Sequence, residues 1–225
     1  MKQDNKINYL NTKQWNYLTK VKKMGPYTGC YGISLDSCRP TKWCLDHCYV
    51  RGNGQYQLLS VKTALERRTI ELLNPYFAEN MVIEVNKKPS IKYIRFFLSG
   101  DIPEKPGSVF PEKFFNDLHY IADNLPHIPI RFTTRKTHVF PDEIRELHFG
   151  HTNISISQSL DPQLPEPYFK DMPWTAPEDL PYVLEHMNDK NVHFCINDCH
   201  TCGYKCWPDP KSPTKKVFGN YWKVL

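Results

Sequence analysis

Two kinds of apolar spacing alternate along the chain. Leu58, Val61, Leu65 and Leu72 recur at the intervals of one buried helix face and predict a helix over Tyr56–Leu73. Asn74-Pro75 supplies a cap and a first-turn proline for a second helix, with Phe77, Met81 and Val85 on one side and Lys87-Lys88-Pro89 at its end. Phe114, Leu118, Ile121 and Leu125 mark a third behind Pro111, Pro141–His148 a short fourth, and Leu180–Met187 a fifth that Pro181 interrupts. Between these lie short, nearly unbroken apolar runs at Tyr93–Leu98, Ile128–Phe132, Asn153–Ser157 and Val192–Ile196. They read as strands buried on both faces of a parallel sheet. An earlier strand carries Tyr31, Ile33 and Leu35 on one face, and the proline-dense stretch Asp161–Pro181 reads as a covering loop.

Strands alternating with helices predict an α/β fold with a mostly parallel sheet. Five or so βα units are too few for a full eight-unit barrel, so the expectation is a partial, open TIM-like βα barrel. The boundaries follow: a basic N-terminal arm over 1–26, the barrel over 27–194, and a C-terminal Cys-rich segment and tail over 195–225. In such sheets ligands gather at the carboxyl ends of the strands. A cysteine loop, Ser99-Gly100-Asp101, Thr133–Lys136, Gln158-Ser159 and a second cysteine group all follow strand ends, so these polar groups should converge on one rim.

Composition changes this picture mainly through cysteine. At 225 residues the chain can bury a core, and its net charge of +5 permits an anionic partner without requiring one. No apolar run reaches membrane-spanning length and the start has no signal-peptide core, which points to a cytoplasmic protein with reduced thiols and no membrane partner. The eight cysteines fall into two tight groups, 30/38/44/48 and 195/199/202/206, as in metal or iron–sulfur sites.

Cys38, Cys44 and Cys48 are spaced C-x5-C-x3-C in one loop. Three thiolates can hold a cluster or metal with one position open for chemistry. Cys30 or His47 could close the set, so structural zinc stays an alternative. Cys195, Cys199, Cys202 and Cys206 complete a four-thiolate site that suits zinc or an auxiliary cluster, and the first three also have the C-x3-C-x2-C spacing of radical S-adenosylmethionine enzymes. Gly100 lets a backbone approach a ligand beside the Asp101 carboxylate. Thr133, Thr134, Arg135 and Lys136 could bond a ribose or carboxylate, with solvated Arg135 and Lys136 as the plainer reading. Arg95, inside an apolar strand, needs a core acid or an anionic ligand.

The run CRPTKWCLDHCY, then IRFFLSGD, then RFTTRK, then a Cys-rich end closing in CW, resembles the phage gene-product-88-like family over roughly Gly25 to Trp207. That family is similar to compact radical S-adenosylmethionine enzymes. The resemblance implies a [4Fe-4S] cluster on Cys38, Cys44 and Cys48, with S-adenosyl-L-methionine as small-molecule cosubstrate and a reducing partner such as a flavodoxin or ferredoxin. Ser99, Gly100 and Asp101 would hold the methionine end, and Thr133, Thr134, Arg135 and Ser157 would line the same pocket. The familiar radical spacing belongs to the second group, so either group is a candidate for the reactive cluster.

Two functions follow from these readings. One is a radical enzyme with one or two [4Fe-4S] clusters, acting on an unknown substrate that includes nucleotides or nucleic acid among its candidates. The other is a non-enzymatic zinc module that contacts nucleic acid through Lys22/Lys23 and Lys215/Lys216.

Overall fold

The computed structural model describes residues 16–52, 54–104, 110–190, 192–195 and 215–218. Seven strands form one parallel sheet in the order β1-β2-β3-β4-β5-β7-β6. They are β1 (Thr28–Tyr31), β2 (Tyr93–Phe96), β3 (Ile130–Thr134), β4 (Ile154–Ser159), β5 (Trp174–Pro177), β6 (Val192–Phe194) and β7 (Lys215–Phe218). Helices α1 (Lys42–Asp46), α2 (Tyr49–Gly52), α3 (Gly54–Gln57), α4 (Leu59–Glu71) and α5 (Phe77–Lys87) connect the first two strands. α6 (Phe110–Asn124) and α7 (Pro141–Gly150) follow β2 and β3, and α8 (Pro181–His186) precedes β6.

The α/β class and the parallel sheet match the reading of the sequence. Barrel closure does not appear: the strand order runs openly from β1 to β6, and among the described residues no pairing joins those two ends. The outer edge of β1 is instead met by Thr19, which exchanges two backbone hydrogen bonds of 2.9 and 2.8 Å with Cys30.

Each of the first four strands has one apolar and one polar face, because successive side chains point to opposite sides. Ile94, Ile130 and Ile154 stand in register on one face, followed by Phe96, Phe132 and Ile156, all buried in the main core. Phe77 and Met81 of α5, Leu118 and Ile121 of α6, and Ile144 and Leu147 of α7 pack in that core. The opposite face carries the row Cys30, Arg95, Arg131 and Ser155. Strands with two apolar faces were therefore the wrong expectation, since only one side takes the helices.

Local differences have plain causes. The strand expected to run through Ile33 and Leu35 stops at Tyr31, and a 3-10 turn over Leu35–Ser37 starts the cysteine loop, with Ser34 accepting from the Asp36 N–H. The single helix expected over Tyr56–Leu73 divides at Leu58, whose backbone is extended. Asn74 caps the turn before α5, accepting from the Tyr76 N–H at 3.0 Å, although Tyr76 is the residue that flanks the helix. The proline-dense stretch holds a strand, β5, whose Trp174 sits in a second small core with Leu160, Leu180 and Val183. β7 lies in the tail, between β5 and β6. Of the basic arm, residues 1–15 lie outside the described residues.

Candidate metal centre and active-site rim

The cysteine loop leaves the carboxyl end of β1 and is held from three sides. Tyr31 donates its phenol to the Arg68 carbonyl at 2.6 Å, and the Ser34 N–H reaches Thr69 Oγ1 at 2.9 Å, fixing the loop to α4. Thr41 caps α1 by accepting from the Cys44 N–H at 3.1 Å, and the same hydroxyl donates to Asp161 Oδ2 at 2.5 Å. The Trp43 N–H donates to Gln163 Oε1 at 2.9 Å. The short helix bearing Cys44 is thus pinned to the loop after β4.

The Ser99-Gly100-Asp101 turn forms the second side. Ser99 Oγ donates to the Ile33 carbonyl at 3.0 Å. Gly100 has φ of +80°, and a Cβ there would lie 2.5 Å from Ile33 Cγ1, 2.7 Å from Ser37 Oγ and 2.8 Å from the Ser34 carbonyl oxygen. Only glycine fits that approach. The Asp101 N–H donates to Ser37 Oγ at 3.0 Å. Its carboxylate points inward, accepting from Thr134 Oγ1 at 2.6 Å, the Ile102 N–H at 2.8 Å and the Arg135 N–H at 3.0 Å. Burial raises the Asp101 carboxyl above its ordinary value, against the pull of those bonds and of Lys136.

The end of β3 forms the third side. Lys136 is 2 % exposed and donates Nζ to the Ser37 carbonyl at 2.8 Å and the Ile102 carbonyl at 2.5 Å. Glu104 lies between two cations, with Oε1 3.1 Å from Lys136 Nζ and Oε2 2.7 Å from Arg39 Nε. Arg135 pairs with Asp161, which also accepts from the Gln163 and Leu164 N–H groups at 2.8 and 2.9 Å. The solvated reading of Arg135 and Lys136 is therefore corrected: both are structural members of the rim.

Within this frame Cys30, Cys38, Cys44 and Cys48 are free thiols, as is Cys195. Cys38 is pushed up to about 12 by burial first, then by Asp101 and by the thiols of Cys44 and Cys48. Cys44 is also raised, by burial above all, while the Arg135 guanidinium, hydrogen-bonded to it, pulls the other way. The three thiols of the loop thus feel one another's charge. Thiolates gathered this way are disfavoured until a cation joins them, and metal binding releases their protons. The donor set suits a soft metal or an iron–sulfur cluster in kind and number. Among the described residues no group of three or more His, Cys, Asp or Glu stands ready to hold a metal ion, so ligation requires the loop to tighten.

Cys30 is fully buried inside β1, in register with Arg95. It and Cys48 both act on Tyr56, whose phenol is raised by burial and drawn down by Arg95. Ser157, with Thr133 in register, lies on the polar sheet face and accepts from Arg131 Nη2 at 3.4 Å. The structure therefore gathers Ser99, Gly100, Asp101, Thr134 and Arg135 at the cysteine loop, and sets Thr133 and Ser157 on the sheet face. Cys199, Cys202 and Cys206 lie outside the described residues.

Sequence reasoning did not single out Arg131, Asp161, Glu104 or Tyr56. Arg131 had a visible signal: Ile94-Arg95-Phe96 and Ile130-Arg131-Phe132 are the same tripeptide in neighbouring strands, and they align with Arg95 opposite Arg131. Asp161 and Glu104 lie in loops, where nothing local distinguishes an anchor from a solvated acid.

Residues 2–113 match the family model Gene product 88, a stretch that includes the first cysteine loop and the Ser99-Gly100-Asp101 turn. No curated protein and no solved structure matches the chain. Through residues 2–113 the chain is related to the Gene product 88 family.

Proposed function

We propose that the chain is an iron–sulfur protein of the radical S-adenosylmethionine type, with Cys38, Cys44 and Cys48 as ligands of a [4Fe-4S] cluster and the open sheet as a partial TIM-like βα barrel. One observation carries the reading: three mutually interacting thiols occupy a loop at the carboxyl end of β1, where the ends of β2, β3 and β4 also converge. Three thiolates leave one iron site open. A bound cluster would supply the electron that reductive cleavage of S-adenosyl-L-methionine consumes. The chain's own part is positional. Lys136 and Asp101 fix the loop backbone at Ser37, while Thr41, Asp161 and Arg135 fix the helix that carries Cys44.

The Asp101 carboxylate is occupied by Thr134, Ile102 and Arg135, so in this reading the turn supports the cluster loop, and any cosubstrate contact comes from backbone groups of the turn. The C-terminal Cys195, Cys199, Cys202 and Cys206 would hold an auxiliary cluster or zinc. Anaerobic reconstitution should give a brown protein whose bound iron and sulfide fall by about four atoms each in a Cys38→Ser/Cys44→Ser/Cys48→Ser variant. A colourless protein with stoichiometric zinc at that loop would reject the reading and favour the zinc module.

A further inference from the structure

The polar face of the sheet holds a feature that the cysteine loop does not explain. Arg95 and Arg131 are register partners on adjacent strands, so their side chains leave the same face about 5 Å apart at the backbone. Both are charged at any physiological pH, since a guanidinium does not lose its proton in proteins. Arg131 is 7 % exposed, and its row continues into Ser155 on β4. Ser157, 2 % exposed, receives Arg131 Nη2. Arg95 reaches Met24 Sδ at 3.3 Å and acts on Tyr56, which also feels Cys48. Two like charges on neighbouring rungs repel each other in a poorly solvated face, and an anion between them reverses that repulsion. Flanking hydroxyls add neutral donors.

We propose that this face is a phosphate-binding site, with Arg95 and Arg131 gripping one phosphoryl group of a small molecule and Ser155 and Ser157 donating to its oxygens. Two guanidiniums match the nearly two negative charges of a phosphate near neutral pH, whereas a carboxylate carries one. Paired N–H forks also fit phosphate oxygens two at a time. Through Tyr56 the site lies below Cys48, so a substrate held there by its phosphate would present its remainder to the cysteine loop. That last clause rests on the radical-enzyme reading, but the phosphate site does not.

Titration calorimetry with inorganic phosphate tests it, using the full chain at low salt and repeated at high salt. Wild-type protein should bind phosphate with an affinity that falls as salt rises. Arg95→Met should weaken it at least tenfold, Arg95→Lys less so, and acetate should bind far more weakly than phosphate. Arg131→Gln should act like Arg95→Met if circular dichroism shows it folded. If it does not fold, the exposed-side Arg95 variants decide. Cys38→Ser should bind phosphate like wild type, which separates this site from the fate of the cluster. Folded protein that binds no phosphate, Arg95→Met protein that binds it like wild type, or acetate binding as tight as phosphate would each overturn the proposal.

Discussion

Gly100 and Lys136 set the geometry of the cysteine loop. At Gly100 the positive φ and the contacts of 2.5–2.8 Å awaiting a Cβ act together, and one of those contacts is backbone that cannot swing aside. Gly100→Ala should lower stability by roughly 1–3 kcal/mol and displace Ser34–Ser37, so a thermal melt falls together with metal uptake. Lys136 is a charge taken out of water and held by two carbonyls and Glu104. Lys136→Met leaves those carbonyls and a carboxylate uncompensated and should cost about 3 kcal/mol in a denaturant titration. Adding Glu104→Gln should recover part of that loss, and strictly additive losses would count against the pairing. The glycine was legible in the sequence as a site of close approach. What approaches it was not, because Ser34 and Ser37 come from a loop more than sixty residues earlier.

Among the elements, α7 and β4 share a pH-sensitive joint. His148 Nδ1 accepts from the Ile156 N–H at 3.1 Å, so the ring must be neutral at that nitrogen. Burial holds His148 at about 4, well under its model value of 6.5, and Asp171 and Arg145 act in opposite directions on what remains. A histidine whose folded value is depressed contributes stability fully above the unfolded value and loses it as pH falls through the folded one. Stability should therefore drop between about pH 6.5 and pH 4, by on the order of 2 kcal/mol, because the unfolded chain takes up the proton first. His148→Gln should flatten that part of the profile, and an unchanged slope would locate the titration elsewhere. The helices α5 and α6 were legible because their apolar stripes keep the helical interval over three turns or more. β5 was hidden for the opposite reason: its four residues end in Pro177 and lie among prolines that read as loop, and only the tertiary pairing with β4 makes them a strand.

Over the whole molecule, the parallel sheet and the gathering of strand ends at one rim were legible, since both follow from the alternation of elements. Openness and two-sidedness were less so. Single arginines in Tyr93–Leu98 and Ile128–Phe132 are weak signals one at a time, and become a polar face only when the register sets them side by side. The rim then has a division of labour that no local pattern shows: charged residues after β2, β3 and β4 brace the loop, and the thiols are left for chemistry. The family match through residues 2–113 covers that loop and its β2 support, while β3, β4 and the second cysteine group lie beyond it. Electron paramagnetic resonance of the anaerobically reconstituted, dithionite-reduced protein, with and without S-adenosyl-L-methionine, tests the central claim most directly. The account predicts a [4Fe-4S]⁺ signal that S-adenosyl-L-methionine shifts and that the Cys38→Ser/Cys44→Ser/Cys48→Ser variant lacks. A spectrum indifferent to both the cosubstrate and the three substitutions would contradict it.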